Sequence, residues 1–330
     1  MHRPETAEKP HPAGRESLEN AHHLRAEAIA RMGIYPGKAL EMLQQEGLLE
    51  EEEKRVSKEY DLDGINLKNE TVRAIFTLED LYDPGTARHS RETYRIAQMK
   101  MDKIIAGTSF RRLSKNEGVS EDEFENGCIG HDFGKILLPL SILHETDRKK
   151  YRSPAREVLS PEDLTRVQGL GFTGDETLME IMKEHERFSG EILEKAGLFV
   201  EAYIAAHHHN YGNKKLEKYS ATIGALHISV LEDMLHLADI EQALLSADRP
   251  YKKAFTVPEM MVIIVDETKK NEDLLFAAYL WLTDDLAEYE GHLLASGETP
   301  SEEDNANLEI VKKFLTDAKE SVEVIDGLKS

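Results

Sequence analysis

Apolar residues recur at spacings of three and four along almost the whole chain, and this periodicity constrains the fold more than any other feature. Such spacing puts apolar side chains on one face of an α-helix, whereas half-buried strands alternate with period two. Residues 262–265 look strand-like, but they follow Pro258, which we expect in the first turn of a helix. The periodicity therefore predicts an all-α fold.

Composition limits the class of protein. A chain of 330 residues can bury a substantial core without disulfides, and its single cysteine, Cys128, cannot form one internally. We expect Cys128 to be a small buried hydrophobe and the protein to be cytoplasmic. The sequence has no apolar run of about 18 residues, so we expect no transmembrane helix. The first residues lack the apolar stretch of a secretory signal.

The charge balance bears on partners. With 41 basic and 63 acidic residues, the formal net charge is −22. Such a surface disfavours binding to duplex nucleic acid or to an anionic membrane. A small phosphate ligand remains compatible, because metal ions and a few basic side chains can make one pocket locally positive. For the oligomeric state, the possibility that we consider is a homodimer.

The chain divides into three parts. Residues 1–16 are predicted as a disordered tail, residues 17–75 as a small helical region, and residues 76–330 as one larger helical domain. Within that domain, residues 76–256 hold the candidate chemistry and residues 257–330 form additional helices. Thr299 and Pro300 are predicted as the cap and first turn of the last helix.

Histidines and two aspartates make up the candidate metal ligands. The set is His89, His131, Asp132, His185, His207, His208, His209 and Asp239. His185 falls within an apolar helical stripe, and Asp239 shares a helix face with Leu235 and Ala243. Because a buried, unpaired carboxylate is costly, this placement favours a bound cation. Imidazole and carboxylate ligands suit iron, manganese, zinc or nickel.

Each piece also has a plainer interpretation. His185 alone could be a core histidine, the His131–Asp132 pair a helix-end hydrogen bond, and the histidine run a surface feature. Their occurrence together favours two divalent metals, since one aspartate can bridge two cations that hold an attacking hydroxide between them. His236, three residues before Asp239, is a reserve ligand candidate.

Three basic residues are candidate phosphate contacts. Lys135 lies four residues after His131 and three after Asp132, so on a helix all three would share a face. Arg249 and Lys252 flank Pro250 in a predicted turn. The alternatives are a salt bridge for Lys135 and a solvated basic turn for Arg249 and Lys252.

The sequence from about residue 78 to 256 resembles the HD-GYP family, a branch of the HD phosphohydrolase superfamily. The matching pieces, in the family's order, are Asp83-Pro84 with His89-Ser90, then His131-Asp132-Phe133-Gly134-Lys135, then His185, the run at His207, Asp239 and Arg249-Pro250-Tyr251-Lys252. The resemblance implies an HD-type helical bundle that hydrolyses a cyclic dinucleotide, typically cyclic di-GMP.

The resemblance also implies residue roles. His89, His131, Asp132 and Asp239 would hold one metal, often iron or manganese, and Asp132 would bridge to the second. His185 with two of the run, for which we favour His207 and His208, would hold that second metal. Asp132 and Lys135 would be catalytic, and Lys135, Arg249 and Lys252 would contact phosphates.

The chain departs from the family at three points. The family's Gly-Tyr-Pro signature is replaced by Asn210-Tyr211-Gly212-Asn213, and Gly85 stands where trinuclear members have a carboxylate. About 25 residues between His144 and Gln168 look inserted and form either a lid or a surface excursion. The alternatives are therefore another cyclic dinucleotide or nucleotide as substrate, or a non-catalytic nucleotide-binding signalling module.

Overall fold

The protein is described by a computed structural model over residues 12–65, 67–104, 119–209, 229–246 and 254–329. Across these residues all regular elements are helices, apart from one isolated bridge between Pro154 and Thr177. The all-α prediction is confirmed. No helix in the described ranges is both long and apolar enough to cross a lipid bilayer.

Four helices form the N-terminal part: α1 (Pro12–Ala30), α2 (Pro36–Gln45), α3 (Leu49–Tyr60) and α4 (Glu70–Tyr82). The first three pack against α4, and their apolar residues join the main core. Arg55 fixes α3 to α4 through Asp80, whose second oxygen accepts a hydrogen bond from the Tyr60 hydroxyl at 2.6 Å. The N-terminal helices are thus part of the same packed unit as the rest.

Two predicted boundaries need correction here. Helix α1 begins at Pro12, so the last five residues of the predicted tail are helical, consistent with the preference of proline for the first helical turn. The boundary predicted after residue 75 falls inside α4, whose buried stripe runs without interruption through Val72, Phe76 and Glu79. Residues 61–69 connect α3 to α4 and mark the break more accurately.

The central helices are α5 (Pro84–Ile104), α6 (Glu121–Gly130), a 3-10 helix (Phe133–Leu137) and α7 (Leu140–Leu143). They are followed by short helices α8 (Arg148–Tyr151), α9 (Ala155–Val158) and α10 (Pro161–Gly169). Next come α11 (Leu178–Lys183), α12 (His185–Lys195), α13 (Phe199–His207) and α14 (Ser229–Leu245). The closest packing is between α12 and α13, α13 and α6, and α14 and α5, which brings several helix ends together.

The helix is interrupted at Asp132. The prediction that His131, Asp132 and Lys135 lie on one α-helix is therefore wrong. Helix α6 ends at Gly130, and a 3-10 helix starts at Phe133. Gly134 permits a close approach to α12, because a Cβ there would lie 2.0 Å from the His185 carbonyl oxygen. The Gly134 N–H donates to the Ser189 hydroxyl at 2.7 Å. The three-residue turn of the 3-10 helix still sets Lys135 beside Asp132.

The inserted segment is fixed to the central helices by Arg166 of α10. Its guanidinium donates to the carbonyls of Ile136 and Leu137, at 2.7 and 3.0 Å, and lies over the Tyr82 ring. The Ser141 hydroxyl donates to Asp163 at 2.7 Å. These contacts attach the segment to the 3-10 helix that follows Asp132 and to α7.

The last described helices are α15 (Val257–Lys270), a short 3-10 helix (Glu272–Leu274), α16 (Leu275–Ser296) and α17 (Glu302–Lys329). Thr256 and Glu259 form a capping box at the start of α15, so the strand-like residues 262–265 are helical, as predicted. The predicted cap at Thr299 is wrong. The hydroxyl of Ser301 accepts the Asp304 N–H at 3.0 Å, because serine stands three residues before the free amide.

Candidate metal centre

Side chains on or next to five helices meet in the interior of the molecule. Seven of the predicted ligands come together there, and we call this set the histidine–aspartate centre: His89 on α5, His131 and Asp132 after α6, His185 at the start of α12, His208 and His209 after α13, and Asp239 on α14. His131 and His208 are fully buried, and Asp132 is 1 % exposed. Helix packing therefore gathers residues that are up to 150 positions apart in sequence.

The centre has two halves that share Asp132. Ligand atoms of His89, His131 and Asp132 lie within 4.8 Å of one another, and so do those of His185, His208 and His209. Oδ1 of Asp132 is 3.2 Å from Nε2 of His185. Oδ2 of Asp132 is 3.4 Å from Nε2 of His89 and 3.5 Å from Nε2 of His131. One carboxylate thus presents an oxygen to each half, which is the arrangement of a bridging ligand.

Asp239 makes a second connection between the halves. Its Oδ1 is 2.7 Å from Nε2 of His89, and its Oδ2 is 3.5 Å from Nδ1 of His209. Asp239 is 6 % exposed. Two buried carboxylates therefore span the same pair of histidine groups.

Backbone carbonyls orient three of the imidazoles. Nδ1–H of His131 donates to the Cys128 carbonyl, that of His185 to the Met182 carbonyl, and that of His208 to the Ala205 carbonyl, each at 2.7 Å. A neutral imidazole that donates from Nδ1 has a free lone pair on Nε2. Metal-binding histidines are typically held in this way by an outer hydrogen bond.

The His89 ring is oriented by a side chain instead. Its Nδ1 is hydrogen-bonded to Oε1 of Gln242, which lies three residues after Asp239 on α14. Gln242 was not singled out from the sequence. Its position one turn after Asp239 was the available signal, because residues at i and i+3 share a helix face.

The polar atoms of the centre fit a bound cation. Within the described residues, Nε2 of His131 and Oδ1 of Asp132 are buried without a hydrogen-bond partner. Nε2 of His185 lies 3.3 Å from Nε2 of His208, although both rings already donate from Nδ1. Acceptor atoms that face one another in a buried space are unfavourable, and divalent cations between them would remove that cost.

The surroundings of His208 and Asp132 lower the pKa of both side chains in the centre. Burial lowers the pKa of His208 well below its usual value, and the neighbouring His209 and His131 lower it further. Burial opposes ionisation of Asp132, but Lys135 and His131 outweigh it and hold the pKa of that carboxyl well below its usual range. Neutral imidazoles beside ionised carboxylates are the form that binds metals.

Lys135 forms the salt bridge that was its alternative interpretation. Its Nζ contacts Oδ2 of Asp132, and the side chain is 20 % exposed on the wall of the cleft described below. A lysine in this position can contact an anionic ligand in the cleft while it stabilises the Asp132 carboxylate.

The sequence favours His207 and His208 as the pair beside His185, whereas the structure groups His208 and His209 with His185. The His207 ring lies 4.2 Å from the Tyr203 ring, and its Nδ1 donates to the Tyr203 carbonyl at 2.8 Å. Helical spacing explains the difference, because His208 and His209 continue the buried face of Ile204 and Ala205, whereas His207 continues that of Tyr203. This periodicity could have selected the right pair from the sequence.

The reserve candidate His236 lies outside both ligand groups. Its ring is 5.8 Å from the ring of His209, and burial lowers its pKa. Arg249 and Lys252, and the residues after Asn210 that replace the Gly-Tyr-Pro signature, lie outside the described ranges. Their proposed roles stay predictions.

Two buried acids near the centre were not predicted. Glu186 is 1 % exposed, and burial together with Asp239 raises its pKa to about 9; it accepts a hydrogen bond from the His209 backbone. Glu79 on α4 is 1 % exposed, and burial and the Asp132 charge raise its pKa well above its usual value. The sequence signal that could have identified both residues is an acidic side chain on an otherwise apolar helix face.

A cleft of about 760 Å³ opens onto one side of the centre. Ligand residues on its wall are His89, His185, His209 and Asp239. Glu145 and Tyr151 of the inserted segment line it as well. The sequence predicts either a lid or a surface excursion for the insertion, and the structure places these two residues of it in the wall of the cleft.

Comparisons with protein-family models, with curated proteins and with solved structures returned no match to this chain.

Proposed function

We propose that this chain is a metal-dependent phosphodiesterase of HD type that hydrolyses a cyclic dinucleotide, with cyclic di-GMP as the first substrate to test. The observation that carries the proposal is the position of Asp132, with one carboxylate oxygen toward each of two histidine groups. Two divalent cations, iron or manganese, would be held there. The motif resemblance supplies the substrate class, and the cleft beside the centre supplies a place for it.

When bound, the two cations would supply Lewis acidity and lower the pKa of a water that attacks phosphorus. The chain's own residues do the rest. Gln242 and the carbonyls of Cys128, Met182 and Ala205 hold the imidazoles in fixed tautomers. The Lys135 ammonium, on the cleft wall, would contact a non-bridging phosphate oxygen and stabilise the charge that grows there.

The exposure of the proposed metal ligands to the cleft indicates from which side a substrate would approach the centre. His89, His185, His209 and Asp239 line the cleft, whereas His131, Asp132 and His208 lie behind them and are at most 1 % exposed. A phosphodiester entering the cleft would therefore meet the centre on the Asp239 side, and the residues behind it would exclude water from the other side.

The test is turnover of cyclic di-GMP by protein loaded with Mn²⁺ or Fe²⁺. We expect His131→Ala and Asp132→Ala to lower kcat by about 1,000-fold or more, the order of effect of losing several kcal/mol of charge stabilisation. The matched pair His207→Ala and His208→Ala distinguishes the loss of a proposed metal ligand, His208, from the loss of the histidine next to it. His207→Ala should stay within about 3-fold of wild type, whereas His208→Ala should lose activity like His131→Ala.

Unchanged turnover in His131→Ala and Asp132→Ala would refute the assignment. The altered sequence after Asn210 is the reason to include mixed cyclic dinucleotides and mononucleotides in the substrate panel. Tight nucleotide binding without turnover under either metal would instead favour the non-catalytic signalling module.

A further inference from the structure

Part of the cleft wall is apolar, in contrast to the charged residues around it. Leu143, Tyr151 and Met182 line the cleft together. Tyr151 ends α8, which packs against α11, the helix of Met182. Helix α7, which carries Leu143, also packs against α11, so the three side chains form a patch built by α7, the inserted segment and α11.

This patch adjoins the histidine–aspartate centre directly. Met182 is three residues before His185, and its carbonyl accepts the Nδ1–H of that ligand. A ligand held by its phosphate at the centre would therefore have the patch as its next neighbour along the cleft.

The patch is held in place. Arg166 ties the inserted segment to the carbonyls of Ile136 and Leu137, and the bridge between Pro154 and Thr177 closes its base. Burial raises the pKa of Tyr151 to about 12, so its half-buried ring is uncharged throughout the neutral range. A fixed, neutral aromatic face suits stacking against a planar ring.

We infer that Tyr151, with Leu143 and Met182, forms a nucleobase-stacking subsite, an inference that rests on the proposed function for the identity of the ligand. Nucleotide-processing enzymes commonly hold a base between aromatic and apolar side chains while polar groups read its edge. His144 and Glu145 follow Leu143 in the chain and line the same cleft. The inserted segment thus determines affinity for the base, and the centre acts on the phosphate.

The experiment compares two probes that differ only in the base. Binding of guanosine 5′-monophosphate and of ribose 5-phosphate to Mn²⁺-loaded full-length protein is measured by calorimetry for wild type, Tyr151→Ala and Tyr151→Phe. Loss of one stacking partner weakens binding of a base by roughly 5- to 100-fold. We expect that loss for guanosine 5′-monophosphate in Tyr151→Ala, an unchanged Kd for ribose 5-phosphate, and values within about 2-fold of wild type in Tyr151→Phe.

Three results would overturn the subsite: equal affinity of wild type for both probes, no change in Tyr151→Ala, or equal weakening of both probes, which indicates a structural role alone. The binding result is independent of turnover. If Tyr151→Ala removes the preference for the base in a protein that does not hydrolyse cyclic di-GMP, the subsite stands and the proposed activity fails. If turnover is found and the preference survives in Tyr151→Ala, the activity stands and the subsite fails.

Discussion

Among the described residues, two groups of side chains have the spacing to hold a divalent cation, and they differ in how their charge is neutralised. One is the histidine–aspartate centre. The other, which we call the lysine–carboxylate cluster, consists of Asp284, Asp285 and Glu288 on α16 with Lys100 on α5. Lys100 is 1 % exposed, and its Nζ lies 2.6 Å from Asp284 and 3.4 Å from Glu288 and also contacts Asp285.

The contrast shows how a structural ion network differs from a candidate metal site. Burial opposes the charge on Lys100, but Asp285 and Asp284 outweigh it and raise its pKa, so the cluster carries its own cation. In the centre, Lys135 contacts one oxygen of Asp132, and the histidine lone pairs and the other oxygen face one another. A group of acids is therefore insufficient evidence for a metal site. Buried imidazole nitrogens held in one tautomer, facing a carboxylate oxygen, are much stronger evidence.

The largest effect is expected from removing the internal cation of the cluster. Lys100→Met should destabilise the protein by about 3–5 kcal/mol, because it leaves the buried Asp285 carboxylate without its cation. Urea denaturation of the metal-loaded protein measures this, and metal content should stay at the wild-type value. A loss below about 1 kcal/mol, or a loss of metal with the protein still folded, would contradict the distinction between the two groups.

A smaller effect is expected from loosening one ligand of the centre. Gln242→Leu removes the hydrogen bond that orients His89 and should weaken metal binding by about 10- to 100-fold, the usual cost of losing an outer partner. Titration with Mn²⁺ measures the affinity. The matched control is Gln44→Leu, a change at an exposed position on α2 far along the chain, which should leave it unchanged. Equal affinities in Gln242→Leu and wild type would show that His89 needs no outer partner.

The smallest effect, when counted for a single pH unit, concerns a buried acid that belongs to neither group. Glu125 on α6 is 4 % exposed, and burial, aided by Asp122, raises its pKa from 4.5 to about 7. Its stabilising contribution is therefore fully present below about pH 4.5 and is lost as pH rises through 7. Relative to Glu125→Gln, wild type should lose about 1 kcal/mol for each pH unit within that window.

Denaturation of both proteins at pH 5, 6, 7 and 8 provides this measurement. A constant difference between wild type and Glu125→Gln would mean that Glu125 ionises normally. Buried acids would then be neutralised in two ways only, by the lysine of the cluster and by the cations proposed for the centre. Neutralisation by a bound proton, as proposed for Glu125, would be excluded.

Much of this arrangement could be predicted from local patterns. Helical periodicity gave the all-α fold, and His89, His131, Asp132, His185 and Asp239 were recognisable by motif order or by their place on apolar faces. The same periodicity, applied to Ile204 and Ala205, would have chosen His208 and His209 over His207. The interruption of the helix at Asp132 was harder to foresee, because it depends on the contact of Gly134 with the His185 carbonyl in another helix.

The remaining features depend on contacts between distant parts of the chain. Lys100 has no local signature of its partners, which lie about 185 residues later on α16. Gln242 acquires its role when α14 packs against α5, and Tyr151 when the inserted segment is fixed by Arg166. Sequence patterns identify which residues face inward, whereas tertiary packing determines which of them meet.

Metal stoichiometry tests the central claim most directly. Anaerobically purified protein, loaded with Mn²⁺ or Fe²⁺ and freed of excess metal, is analysed by mass spectrometry of the elements for wild type, Asp132→Asn and the matched control Asp284→Asn. Two ions per chain in wild type and in Asp284→Asn, with no more than one in Asp132→Asn, are predicted. The same stoichiometry in Asp132→Asn and wild type, or loss of metal in Asp284→Asn alone, would contradict the account.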